Sequence, residues 1–331
     1  MEPAFFIILV VILGLFFDYT NGFHDSANVV STVIASGALR PTIAILLAAI
    51  LNTLGATQTS KVAQTISTGL IDSEVASQTL IFSALIGAIV WNILTARWGI
   101  PSSSSYALIG GLIGVVLVTK GAQFVLWKGV LFKVILPMFL SPFIGFFIAF
   151  FFMKILYFSI QKTKWKSPLF LHLQIVSASV VALAHGFNDA QKSMAIITMG
   201  LFAAGAISST QIPFWVILAC AITMGLGTTL GGYRIIHTVG YKITKIRPLQ
   251  GFAAETSASI VLLSAAFLGM PISSTHMIVG SITGVGTARR LQAVEWLIAH
   301  KLAIAWIVTM PAAGVIASAA YFFGKMLMTL F

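Results

Sequence analysis

The chain has 331 residues, 58% of them hydrophobic and 8% charged, with a net charge of +11 and a mean hydropathy of +1.01. Soluble domains carry about 25% charged residues, so a water-soluble globule is excluded. The lone cysteine, Cys220, excludes a disulfide framework and a thiolate metal cluster.

The first apolar run, residues 3–17, continues into polar sequence without a small-residue cleavage pattern and reads as a retained span, not a signal peptide. Further runs follow at 41–54, 80–94, 131–152, 214–224 and 302–323. Several reach or approach the roughly 20 residues a helix needs to cross the hydrocarbon core. Backbone groups in lipid must be satisfied within the segment, and the alternation of a barrel is absent. The expected fold is therefore all-α and polytopic, with about 10–12 helical segments and, by length, about ten to twelve crossings. The basic residues fall in short polar connections: Lys162, Lys164 and Lys166; Lys242, Lys245 and Arg247; Arg289 and Arg290. This is the positive-inside pattern of cytoplasmic loops, and nucleic acid is not an expected partner. It divides the chain into residues 1–160, a basic cytoplasmic linker at 161–168, and residues 169–331.

The two halves repeat each other. Thr20-Asn21-Gly22-Phe23-His24-Asp25-Ser26-Ala27-Asn28 is matched by Ala184-His185-Gly186-Phe187-Asn188-Asp189-Ala190-Gln191-Lys192. Gly99-Ile100-Pro101-Ser102-Ser103-Ser104-Ser105-Tyr106 is matched by Gly269-Met270-Pro271-Ile272-Ser273-Ser274-Thr275-His276. Each serine motif leads into a glycine-spaced apolar segment, and a weaker pair places Lys61 opposite Arg234. Duplicated halves suggest a transporter that rocks about a central site. An odd number of crossings per half would invert the copies, and the sequence leaves that parity open.

Proline favours the first helical position and glycine a sharp reversal. The serine motifs are thus expected to form re-entrant hairpins, with helices starting at Pro101 and Pro271. Helix N-termini attract anions, and Ser103, Ser104, Ser105, Ser273, Ser274 and Thr275 add hydroxyl donors. Asp25 and Asp189 are two of only eight acidic residues and lie at equivalent positions. Intramembrane carboxylates cost roughly 2.5–3.5 kcal/mol on insertion scales and mark function. Carboxylates beside an oxyanion require cations, either Na⁺ or protons. Asn21, Asn28 and Asn188, with carbonyls freed where a helix unwinds, are suitable oxygen donors. A salt bridge to Lys192 or Lys61 is the structural alternative for these carboxylates. Glu255 has no acidic repeat-mate and is read as a third cation ligand, a proton carrier or the partner of Arg234.

On these motifs the chain resembles the inorganic phosphate transporter (PiT) family of secondary carriers, in its compact bacterial branch. The resemblance runs from about residue 14 to about 288. It implies inverted repeats, with phosphate between the hairpin tips at Ser103, Ser104, Ser105, Ser273, Ser274 and Thr275. Cations, with Na⁺ at Asp25 and Asp189, would sit on the segments holding Asn21, Asp25, Asn28, Asn188 and Asp189. His24, standing where the family commonly has asparagine, and Lys192, opposite Asn28, depart from that pattern. With Glu255 they are the candidate coupling residues. The implied activity is uptake of phosphate across the plasma or inner membrane by symport with Na⁺ or H⁺, with no enzymatic step and no further cofactor. Expected partners are inorganic phosphate, the coupling ion, the lipid bilayer and, as one allowed assembly, a second copy in a homodimer. Sulfate transport by the same fold is the runner-up. An intramembrane serine hydrolase would need one serine motif, not two.

Overall fold

The computed structural model describes residues 3–72, 75–163 and 167–330. The first half runs as one long helix, α1 (Pro3–Ala35), then a pair, α2 (Pro41–Ala56) and α3 (Lys61–Gly69), bent by 66°. A hairpin follows, α4 (Gln78–Trp98) and α5 (Ser104–Thr119). One turn, α6 (Trp127–Gly129), leads through a π-helical stretch into α7 (Leu136–Thr163). The second half repeats this order. It has the long α8 (Ser167–Ala203), the pair α9 (Phe214–Leu230) and α10 (Tyr233–His237) bent by 64°, the hairpin α11 (Pro248–Phe267) and α12 (Ser274–Arg289), and α13 (Trp296–Leu330).

The correspondence extends to small features. Isolated bridges join Ile71 to Val125 and Thr244 to Val294. The Trp127 and Trp296 indoles donate to the carbonyls of Ala122 and Leu291, both at 2.9 Å. Among the described residues there is no β-strand. The centre of the basic linker expected at 161–168, residues 164–166, lies outside the described residues.

Among the described residues five helices are each long and apolar enough to cross a membrane, and the bent pairs, each taken as one span, raise this to seven. That is fewer than the ten to twelve crossings read from length, because several helices exceed 30 residues and the hairpins turn back. A hairpin adds no net crossing. With α4 turning back in its hairpin, six of the seven remain, α1, the α2–α3 pair and α7 in the first half and α8, the α9–α10 pair and α13 in the second. Three to each half is an odd number, and the halves are inverted repeats.

Each hairpin turns at a left-handed glycine, Gly99 or Gly269, both at φ +67°. Gly99 N–H donates to Ala96 O at 3.1 Å and Ile100 N–H to Thr95 O at 2.9 Å. Gly269 and Met270 repeat the pattern on Ala266 and Ala265. This double bond pattern closes a helix C-terminus and needs positive φ, which glycine adopts without strain.

The halves interleave. The ascending hairpin helix α5 packs on α13, α12 packs on α7, α1 on α9, and α2 on α8. Glycines set these crossings. A Cβ on Gly22 would overlap Met224 O of α9, and one on Gly186 would overlap Asn52 O of α2. Gly110 and Gly114 meet Met310 and Gly314, while Gly280 and Gly284 meet Pro142 and Phe146. The four-residue spacing gives each ascending helix a flat strip for close backbone approach.

Candidate substrate and ion site

A helix turns once every 3.6 residues, so positions 21, 25 and 28 share one face of α1, and 185, 189 and 192 one face of α8. The sequence motifs therefore place Asn21, Asp25 and Asn28 opposite His185, Asp189 and Lys192. The fold brings the carboxylates together. Ligand atoms of Asp25, His185 and Asp189 lie within 4.8 Å of one another, and all three residues are buried.

The hairpin tips meet at the same place. Ser103 and Ser273 are N-caps whose hydroxyls accept from Tyr106 N–H and His276 N–H. The helices thus begin at Ser104 and Ser274, not at Pro101 and Pro271 as expected. A serine oxygen at the N-cap satisfies an orphan N–H, whereas the prolines sit in the extended segment before it. Thr275 Oγ1 lies 3.0 Å from Ser102 O of the opposite tip and 3.3 Å from Asp25 Oδ1. It accepts from Asn28 Nδ2 at 2.8 Å. Ser274 Oγ donates to Asp189 Oδ2 at 2.8 Å. Ser105 is buried, and the Ser104 hydroxyl is buried with no hydrogen-bond partner.

The two carboxylates differ in company. Asp25 accepts from Asn28 Nδ2 at 3.2 Å and lies 3.0 Å from His24 Nδ1. Asp189 is ion-paired with Lys192, and His185 Nε2 lies 2.9 Å away. The salt-bridge alternative thus holds for Asp189 and Lys192. Lys61 is elsewhere, donating to Phe267 O at 3.2 Å. Its repeat-mate Arg234 donates to Arg97 O, so the weaker sequence pair marks two equivalent contacts across the halves.

Asn188 donates to Leu262 O at 2.7 Å, leaving its carbonyl oxygen without a partner. The Asn28 carbonyl oxygen and both polar atoms of Asn21 are also buried and unpartnered. Buried polar atoms are nearly always bonded, so a cluster of exceptions marks a place built for something else. The expected unwinding does not occur, since α1 and α8 run unbroken through both motifs. The free carbonyls come instead from the extended tips, at Ser102 and Ile272.

Glu255 does not pair with Arg234. Its carboxylate takes bonds from Thr32 Oγ1 at 2.6 Å, Gln174 Nε2 at 3.1 Å and the Ser177 hydroxyl. The equivalent residues in the other half, Leu85 for Glu255 and Ile196 for Thr32, are apolar and buried. Thr32 lies about 10 Å along α1 from Asp25.

Sequence reasoning missed Ser102 and Thr95. Ser102 Oγ donates to Thr95 Oγ1 at 3.0 Å and lies 3.4 Å from His24 Nε2. Serine, histidine and aspartate thus stand in the order of a hydrolase triad, but the serine hydroxyl lies closer to Thr95 Oγ1 than to the imidazole. Its mate Ile272 is apolar, so the repeat carried no signal at this position.

A sequence profile described as the phosphate transporter family matches residues 21–171 and 161–317. A probable low-affinity inorganic phosphate transporter of Rhizobium meliloti is 45% identical over 317 residues, covering 95% of each chain. One of Bacillus subtilis is 42% identical over 325 residues, covering 97% of each. A solved structure titled as the sodium-dependent phosphate transporter superposes with a TM-score of 0.87 at 27% identity, over 97% of this chain and 99% of that one. With both halves matched in turn, and near-complete coverage of relatives that share its architecture, this multi-pass membrane chain belongs to the phosphate transporter family.

Proposed function

We propose that the chain takes up inorganic phosphate by symport with a monovalent cation, across an inner or plasma membrane it enters with the 161–168 linker on the cytoplasmic side. Phosphate binds between the helix N-termini of α5 and α12, on Ser103, Ser104, Ser105, Ser273, Ser274 and Thr275. Cationic charge is held at two places, at Asp25 with Asn21 and Asn28, and on the side of Asn188 and Asp189.

One observation carries this reading: the hydroxyls of the anion cradle are bonded to the ion-site carboxylates, Ser274 to Asp189 and Thr275 beside Asp25. A cation on the carboxylate takes over its negative charge and releases the hydroxyl proton to the anion. Without it, a phosphate oxygen would face the Asp25 carboxylate, which has no fixed cation and lies within 4.8 Å of Asp189 and its Lys192 partner. A like-charge pair at such a distance costs roughly 3 kcal/mol at an effective dielectric constant of about 20. Cation and anion therefore favour each other's binding, which is the thermodynamic content of coupling. The tips touch through Thr275 and Ser102, so admitting the anion parts them. Phosphate suits the site better than sulfate because it retains a proton to donate toward Asp25 or Asp189. Glu255, bonded to neutral donors on α1 and α8, is assigned a coupling role rather than an anion contact.

Uptake of labelled phosphate into proteoliposomes under separately imposed Na⁺ and H⁺ gradients tests the proposal. Accumulation driven by one gradient and abolished by its collapse is expected. Uptake indifferent to both removes the symport reading, and strong competition by sulfate removes the substrate assignment.

A further inference from the structure

We infer that Lys192 is a resident cation, occupying with its own ammonium the place that a coupling ion would take in the second half-site. The inference deepens the symport reading and rests on it.

Lys192 is 1% exposed and lies within the apolar span Pro168–Ala203. Its Nζ is bonded to Asp189 Oδ1 and lies 3.5 Å from the Ile272 carbonyl oxygen. The Ser274 hydroxyl reaches the other oxygen of the same carboxylate. A carboxylate, a main-chain carbonyl freed by the extended tip and an adjacent hydroxyl are the oxygen donors a small monovalent cation uses. Here an ammonium stands among them.

Helix geometry does not require it. The equivalent residue in the first half, Asn28, reaches its own aspartate with a neutral amide at 3.2 Å. Burying an ammonium where an amide suffices is costly, so the charge itself is what the position retains.

The consequence concerns counting. Of the two carboxylates at the hairpin tips, Asp189 is balanced by the ammonium and Asp25 is not, which leaves one negative charge at the tips for one monovalent cation to neutralise. A third buried carboxylate, Asp18, is held apart from the tips by the Ser193 hydroxyl. Lys192 is tethered and cannot leave with phosphate. The exchangeable cation is thereby assigned to the Asp25 side, among the unpartnered oxygens of Asn21 and Asn28.

The test counts bound Na⁺ with radioactive Na⁺ on the detergent-solubilised full chain at saturating phosphate. Proteins compared are wild type, Lys192→Asn, Lys192→Arg and the double variant Asp189→Asn/Lys192→Asn. Lys192→Asn is expected to bind one Na⁺ more than wild type and to show a steeper Na⁺ dependence of phosphate binding. Lys192→Arg and the double variant, in which charge is kept or removed in pairs, are expected to keep the wild-type count. An unchanged count in folded Lys192→Asn overturns the inference. If that variant does not fold, the double variant decides: one Na⁺ fewer than wild type overturns the inference, and the wild-type count upholds it. The count is independent of transport, so phosphate uptake that ignores every cation gradient would remove the symport reading and leave the assignment of Lys192 to be judged by binding.

Discussion

The two half-sites share one template and differ in the charge that holds their aspartates. In the first, Asp25 is held by neutral or titratable groups, the Asn28 amide and the His24 imidazole. In the second, Asp189 is held by an ammonium, with His185 standing where the first half has Asn21. The backbone around them is the same to the level of glycine contacts and tryptophan bonds. Symmetry is kept in the scaffold, and the departures from it fall at the proposed ion site.

The sharpest way to break the comparison is to neutralise each aspartate in turn. Asp189→Asn leaves the Lys192 ammonium buried without its partner, a loss of about 3–5 kcal/mol. Asp25→Asn strands no fixed charge and is expected to cost less than about 1.5 kcal/mol, a hydrogen bond's worth. Thermal unfolding in detergent should therefore rank Asp189→Asn far below Asp25→Asn, although both lose coupled uptake. Equal losses of stability would mean the half-sites are electrostatically alike.

The scaffold should respond symmetrically instead. Gly22→Ala and Gly186→Ala each drive a methyl group into a carbonyl of the facing helix, an overpacking cost of about 1–3 kcal/mol. The two variants should lower the unfolding temperature by similar amounts. A large difference would show that one crossing can yield and the other cannot.

The smallest expected effect separates the two membrane faces. Lys61 and Arg234 each hold a carbonyl near the turn of the opposite half's hairpin. Removing either one costs about 1 kcal/mol or less, but on opposite sides of an inverted repeat. In a Cys220→Ala background with cysteine at Ser104, Lys61→Ala and Arg234→Ala should raise labelling from opposite faces. Labelling raised from the same face by both would break the proposed inversion of function.

Much of this was legible in the sequence because duplication prints each functional motif twice. Asp25, Asp189 and both serine motifs were found that way, and the fold brings them within bonding reach. Ser102 and Thr95 escaped because each lacks a matching polar mate, the equivalent residues being Ile272 and Ala265. The helix start at Ser104 was misplaced because proline and serine both favour the first turn, and the choice between them depends on where the extended tip ends. Unwinding was expected at Asp25 and Asp189 but is displaced to the tips. The partner of Glu255 was hidden for a different reason. Thr32, Gln174 and Ser177 approach it from two other helices, and no sequence spacing records a crossing.

The interleaving of the halves also bears on how the chain is made. The face of α1 that carries Asp25 and Asn28 is covered by α8 and by the tip of α12, which are synthesised after the whole first half. Until they arrive, Asp25 has neither the Thr275 hydroxyl nor the opposing tip beside it. An uncovered carboxylate in lipid is disfavoured by roughly 2.5–3.5 kcal/mol. The nascent first half is therefore a poor resident of the bilayer by itself, and its burial is completed only when translation delivers the second.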